Sequence, residues 1–253
     1  MSAPVPTLDV ERALAADCGP GTRIVVGVDE VGRGALAGPV AVGACAVEMR
    51  EGHIAPLPDG VRDSKRLSAL RRKALVQPIL DSVRAGTVGW ASPAEIDEIG
   101  IVAALSRAAH RALEGLDVRP DAILVDGDVD VLSRTPPSGD GPPPVVQLRV
   151  AADRDCASVA AASILAKVAR DDHMVELDAL APHYHWASNK GYGSAAHREA
   201  LTVSGPHHQH RRSWRLTGSA DPAQPPGALH VPAGGAGVLW DDDIGPQRQE
   251  ERP

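Results

Sequence analysis

Two short runs of small and β-branched residues, 24–29 (IVVGVD) and 39–47 (PVAVGACAV), are separated only by a glycine-bearing loop. Runs of this kind suit strands, and a short connection makes them neighbours in one sheet. The loop carries Gly32, Gly34 and Gly38, with Gly27 on its near side. The chain has no Phe and only 2% aromatic residues, so its core must come from Ala, Val, Leu and Ile. Helical periodicity runs over 68–85 through Leu70, Leu75, Ile79 and Val83. Residues 87–91 suit a strand. Ser92-Pro93-Ala94-Glu95 then predicts a helix start, with Ser as N-cap, Pro at N1 and Glu at N3. A helix follows over 101–116, then strands over 121–126 (DAILVD) and 145–150. The longest helix, 157–180, has an Ala-rich first half that permits close packing on a sheet. A last helix spans 194–203 and stops at Gly205-Pro206. Strands alternating with helices indicate an α/β domain.

Residues 1–22 read as a flexible lead-in with a short helix near 10–16, and 23–218 as one domain. Residues 134–144 (RTPPSGDGPPP) form a Pro/Gly loop, and 219–253 a disordered acidic tail. The net charge of −7 is unusual for a nucleic-acid protein. The segment from Ser219 holds six acids against two arginines, so four of those charges sit outside the domain. Cys18, Cys45 and Cys156 lack any metal-binding or redox spacing, which fits a reducing cytoplasm. No signal-peptide pattern is present, and the apolar run 40–47 is too short to span a bilayer. A soluble, cytoplasmic, monomeric protein is expected.

The acids that matter follow apolar runs. Asp29 and Glu30 are adjacent at a strand end, where successive side chains point to opposite faces. They serve one site only if the backbone leaves strand geometry, for which Gly32 and Gly34 supply the freedom. An isolated Asp-Glu pair reads better as a solvated strand end. The string GVDEVGRGALAGPV shifts that balance by adding an arginine and a flexible backbone. Spacing leaves Asp126, Asp128 and Asp130 all open as a further acid. Position at the end of the apolar run favours Asp126. In Ala151-Ala152-Asp153-Arg154-Asp155, Asp155 reads as a helix cap and Asp153 as the better ligand. Several carboxylates without a Cys/His set suit hard cations, Mg²⁺ or Mn²⁺, rather than zinc.

Six motifs in order resemble those of prokaryotic type 2 ribonuclease H, the ribonuclease HII family, over residues 24–215. They are DEVGRG with a following GPV, Asp63-Ser64-Lys65, Asp126-Gly127, AASILAKVARD at 161–171, Lys190-Gly191-Tyr192-Gly193-Ser194 with His197, and His210-Arg211-Arg212-Ser213-Trp214. The resemblance implies a ribonuclease H-like mixed central sheet flanked by helices, with a small helical C-terminal part. It implies metal ligands at Asp29, Glu30, Asp126 and Asp153. It assigns Gly32, Arg33 and Gly34 to the ribose 2′-hydroxyl, the group that separates RNA from DNA. Tyr192 matches the tyrosine at the junction nucleotide. Lys65, Lys167, Lys190 and Arg211 are candidate phosphate contacts, with a structural bridge as the plainer role for Lys167. His207, His208 and His210 read as a solvated or phosphate-facing turn rather than a metal cluster. Val31, Trp214 and Ala152 depart from the family's usual residues, and the Pro-rich insertion lengthens the path from Asp126 to Asp153.

The implied activity is two-metal hydrolysis of the RNA strand of RNA–DNA hybrids and incision 5′ of single ribonucleotides in duplex DNA. It leaves 5′-phosphate and 3′-hydroxyl ends. Two rivals are a nuclease for another structure such as a junction, and a non-catalytic hybrid-binding module. Four acids unneutralised by metal would repel phosphate in the latter.

Overall fold

The computed structural model describes residues 5–132 and 142–216. The acidic tail and most of the Pro/Gly loop lie outside them. The elements are α1 (Asp9–Asp17), β1 (Arg23–Val31), β2 (Val40–Arg50), β3 (His53–Ile54), α2 (Ala69–Ser82), β4 (Ala85–Ala91), α3 (Pro93–Ile99), α4 (Ile101–Gly115), β5 (Ala122–Asp126), β6 (Val145–Arg149), α5 (Ala152–Asp155), α6 (Ala157–Asp178), α7 (Trp186–Asn189) and α8 (Ala195–Ser204).

The two β-branched runs do pair, as antiparallel β1 and β2. On its other edge β2 carries β4 and the short β3, while β5 and β6 extend the sheet in parallel beyond β1. The sheet is therefore mixed. In register, Val28 lies opposite Val125, so β1 and β5 deliver Asp29 and Asp126 to the same edge. Helix α4 covers one face with Ala104, Leu105, Ala108, Ala112 and Leu113. Helix α6 covers the other, packing Val159 to Leu165 on the sheet and α2.

A core without Phe is filled by bringing helix and sheet backbones together. A Cβ at Gly27 would lie 2.4 Å from the Ser158 carbonyl carbon, and one at Gly89 2.1 Å from the Ala108 oxygen. Of the described Trp and Tyr residues, all but Trp90 lie in the C-terminal part, where Tyr184 stacks on Trp186 at 5.0 Å between centroids. Leu36, Met174, Leu177 and Leu201 complete that small core.

The expected helix at Ser92 forms with a full capping box. It ends at Gly100 (φ 78°), so α3 and α4 are separate helices. The short helix expected near 10–16 forms as α1, and because it buries Glu11, Leu14 and Ala15 this part of the lead-in is not flexible. Glu11 accepts hydrogen bonds from the Ser158 amide (2.8 Å) and hydroxyl (2.7 Å), capping α6 from a distance. The capping role expected for Asp155 is corrected too, because that carboxylate accepts from Arg149 at 2.7 Å.

Candidate active site

Strand geometry persists through Val31, which pairs with Ala41. The backbone departure expected between Asp29 and Glu30 therefore does not occur. Asp29 turns towards α6, where the Ser163 hydroxyl donates to it. By strand alternation Glu30 turns to the opposite face, into a cleft lined by Val28, Leu105, Asp126 and Asp128 and reached by Asp29 as well. They meet because the site lies at the sheet edge, where both faces open together. Gly32 does need to be glycine: its φ is 84°, and a Cβ would lie 2.0 Å from Arg170 Nε. Gly34 has neither constraint.

Asp126 Oδ1 accepts from the Ala152 amide at 2.6 Å, and further backbone bonds come from Gly127 and Asp153. The segment that bears Asp153 is thus tied directly to Asp126, whatever the length of the insertion between them. Of the rival acids, Asp130 accepts from the Leu132 amide instead.

All four acids have raised pKa values. For Asp29, burial is the main cause, followed by the charge of Glu30 and then those of Asp126 and Asp153, with the Ser163 hydrogen bond opposing. Burial also raises Glu30, with Arg33 opposing. It raises Asp126 against its three backbone hydrogen bonds. Asp153 rises to about 6 through burial and the nearby Asp126 and Asp63. Among the described residues, no three His, Cys, Asp or Glu side chains form a ready-made ion cage. The donor set still fits a divalent hard cation: four oxygen-bearing groups share one edge and resist carrying their charge without a counter-ion.

Lys65 is exposed, and its charge acts on Glu30, Asp126 and Asp153. Arg33 Nη1 stands 3.8 Å from Glu30. Tyr192 is 38% exposed, with the Arg170 guanidinium 5.5 Å from its ring centre. Lys167 donates to Asp171 at 2.7 Å, which is the bridging role rather than a free phosphate contact. Lys190 folds back onto the Ala187 carbonyl.

Arg211 is a clear correction. It is completely buried, so no phosphate reaches it. Its guanidinium donates to the carbonyls of Gly32 (2.6 Å), Arg33 (2.8 Å) and Gly38 (3.1 Å). Arg170, equally buried, donates to the carbonyls of Pro39, Lys190 and Ala37. Arg170 was visible only as part of a motif, as was Ser163, which also bonds Ser64 at 2.8 Å. Asp63 accepts from the Lys65 amide at 2.9 Å and so orients that lysine's backbone.

His210 is likewise buried, not part of a solvated turn; His208 alone of the three is exposed. His197 Nδ1 faces the Tyr192 carbonyl at 2.8 Å and must carry a proton. Its Nε2 then accepts from Trp186 Nε1 (3.2 Å) and from His210 Nε2 (3.0 Å). His210 Nδ1 accepts from the His207 amide at 2.9 Å. Both rings are consequently neutral. Burial, reinforced by His197, pushes His210 down to about 4. An unfolded histidine gains its proton near pH 6.5. The stability contributed by the neutral ring is therefore full above that pH and is lost as pH falls towards 4. Moving from pH 6.5 to 5 should cost about 2 kcal/mol through His210 alone. Urea melts at the two pH values should show that increment in the native chain and its absence in His210→Gln. Identical pH dependence in both proteins would exclude the neutral pair.

No helix among the described residues is long and apolar enough to cross a membrane. The ribonuclease HII family model matches residues 26–217. A ribonuclease HII of Streptomyces griseus is 47% identical over 83% of this chain and 84% of its own. That of Streptomyces avermitilis is 44% identical over 83% of each chain. The crystal structure of Pyrococcus horikoshii ribonuclease H2 is similar, with 29% identity, a TM-score of 0.62, and coverage of 76% of this chain and 94% of that one. Sequence and architecture thus agree, and the chain belongs to the ribonuclease HII family, metal-dependent endoribonucleases that hydrolyse the RNA strand of RNA–DNA hybrids.

Proposed function

We propose that this chain cuts RNA–DNA hybrids and also incises duplex DNA on the 5′ side of a single ribonucleotide, leaving 5′-phosphate and 3′-hydroxyl ends. The observation that carries the reading is the convergence of Asp29, Glu30, Asp126 and Asp153 on one sheet edge, where β1 lies beside β5 and the Ala152 amide ties the Asp153 segment to Asp126. These four would hold two Mg²⁺ or Mn²⁺ ions, with substrate phosphate oxygens completing the coordination. When bound, such ions supply Lewis acidity that activates the attacking water and offsets charge on the leaving 3′-oxygen. The chain's own groups do the rest. Lys65 lies beside the acids and would draw in the scissile phosphate. The turn Gly32-Arg33-Gly34 would inspect the 2′-hydroxyl, and Tyr192 would pack on the adjoining nucleotide.

The test is incubation with a duplex containing one ribonucleotide, with and without Mg²⁺ or Mn²⁺. Metal-dependent incision 5′ of that nucleotide is expected; well-folded protein that leaves the duplex intact sinks the proposal. Tyr192→Ala should slow cutting at a lone ribonucleotide about tenfold, a loss of stacking of roughly 1–3 kcal/mol. Within a long hybrid, where neighbouring registers offer other sites, the loss should be smaller. Equal losses on both substrates would refute the role of Tyr192.

A further inference from the structure

Arg170 and Arg211 are two buried cations side by side, and among the described residues neither has a carboxylate partner within hydrogen-bonding distance. Burial, and then the charge of Arg170, hold the Arg211 pKa down to about 9. Burying a guanidinium in this way costs several kcal/mol unless its donors are well satisfied. Every Arg211 hydrogen bond is to a main-chain carbonyl, and two of the three carbonyls belong to the glycine turn, while the Trp214 ring covers the guanidinium at 5.0 Å.

The consequence follows from peptide geometry. The peptide bonds are trans, so each N–H points opposite to the carbonyl of the same peptide group. With the Gly32 and Arg33 carbonyls drawn inward to Arg211, the amides of Arg33 and Gly34 are turned away from it. Among the described residues, no group accepts a hydrogen bond from either of those N–H groups. Both residues are exposed, and Glu30 is within ion-pair distance of Arg33. Two adjacent outward amides make a concave donor pair suited to a single oxygen acceptor.

We infer that Arg211 is a positioning residue for sugar discrimination, acting through the peptide groups of Gly32 and Arg33. The inference rests on the reading that this turn contacts the ribose 2′-hydroxyl. A lysine cannot replace it, because one ammonium on a flexible stem does not span three carbonyls in a fixed fork.

The experiment measures binding in an Asp29→Asn background, so that substrate is not consumed. The probes are one DNA duplex and the same duplex carrying one ribonucleotide. The background protein should prefer the ribonucleotide duplex. Adding Arg211→Lys should lower that preference tenfold or more, with affinity for the all-DNA duplex changed less than twofold. Adding Gly34→Pro, which removes one of the two N–H groups, should lower the preference similarly.

If Arg211→Lys weakens both duplexes equally, or leaves the preference intact, the positioning role is wrong. Should Gly34→Pro abolish the preference while Arg211→Lys keeps it, the turn reads the sugar without Arg211. If neither changes it, the reading of the turn itself fails. Arg211→Gln provides a second, uncharged variant for the same measurements. Failure of both Arg211 variants to fold overturns the inference, because positioning requires a turn that can loosen while the domain survives.

Discussion

Asp29→Asn lowers the rate of hybrid cleavage at saturating metal by about a thousandfold or more, roughly 4 kcal/mol of transition-state stabilisation. In metal-free buffer at pH 7, the same change stabilises the fold. Both effects have one origin. Asp29 is buried among Glu30, Asp126 and Asp153, and its carboxyl resists ionisation. A carboxylate whose folded pKa is raised contributes most below its unfolded value near 4, and that contribution is lost as pH rises. For Asp153 the loss extends from about 4 to about 6. Asp153→Asn should therefore gain up to about 3 kcal/mol at neutral pH. In a domain of this size that is roughly 5–10 °C in melting temperature. The four acids titrate as a coupled set, so removing one also relieves the others. Thermal melts in chelator, paired with cleavage assays in Mn²⁺, check the prediction. Variants that lose activity but melt no higher than the native chain would show that the acids are not held in mutual repulsion.

The strands, the main helices and the edge where the acids meet were legible because each follows from local pattern. Asp126 closes an apolar run, and a parallel neighbour brings that end to Asp29. Residues that act at long range were not legible. Glu11 caps α6 from α1, across 147 positions of sequence. No local rule announces that. Arginine is ordinarily a surface residue. Arg211 therefore read as a phosphate contact, although its donors close on carbonyls more than 170 positions away. His210 misled for the same reason. A His-rich turn reads as solvated until its partner, His197, arrives from α8. Conversely, the Pro-rich insertion lengthens the path from Asp126 to Asp153. The Ala152 amide bound to Asp126 shows that placement is decided at the insertion's ends.

A close approach of helix and sheet backbones lies behind the site, and Gly43→Ala there should cost more than about 3 kcal/mol, at the high end for overpacking. Gly43 pairs with Asp29 across β1 and β2. A Cβ on it would stand 2.2 Å from the Ala162 carbonyl oxygen and 2.9 Å from its carbon. Backbone within α6 cannot move aside as a flexible side chain would, so the helix must shift as a unit. Ser163, the next residue, would then withdraw its hydroxyl from Asp29 and break its bond to Ser64. Activity should fall in the fraction that still folds. Gly115→Ala is the contrast. Its Cβ would meet only Thr87 Cγ2 at 3.5 Å, an ordinary contact at the end of α4. Alanine there should be neutral or stabilising by up to about 1 kcal/mol, from helix propensity alone. Urea titrations of both variants decide the matter: a Gly43→Ala midpoint close to that of Gly115→Ala would mean that α6 does not lie against the catalytic strands as tightly as its alanines allow.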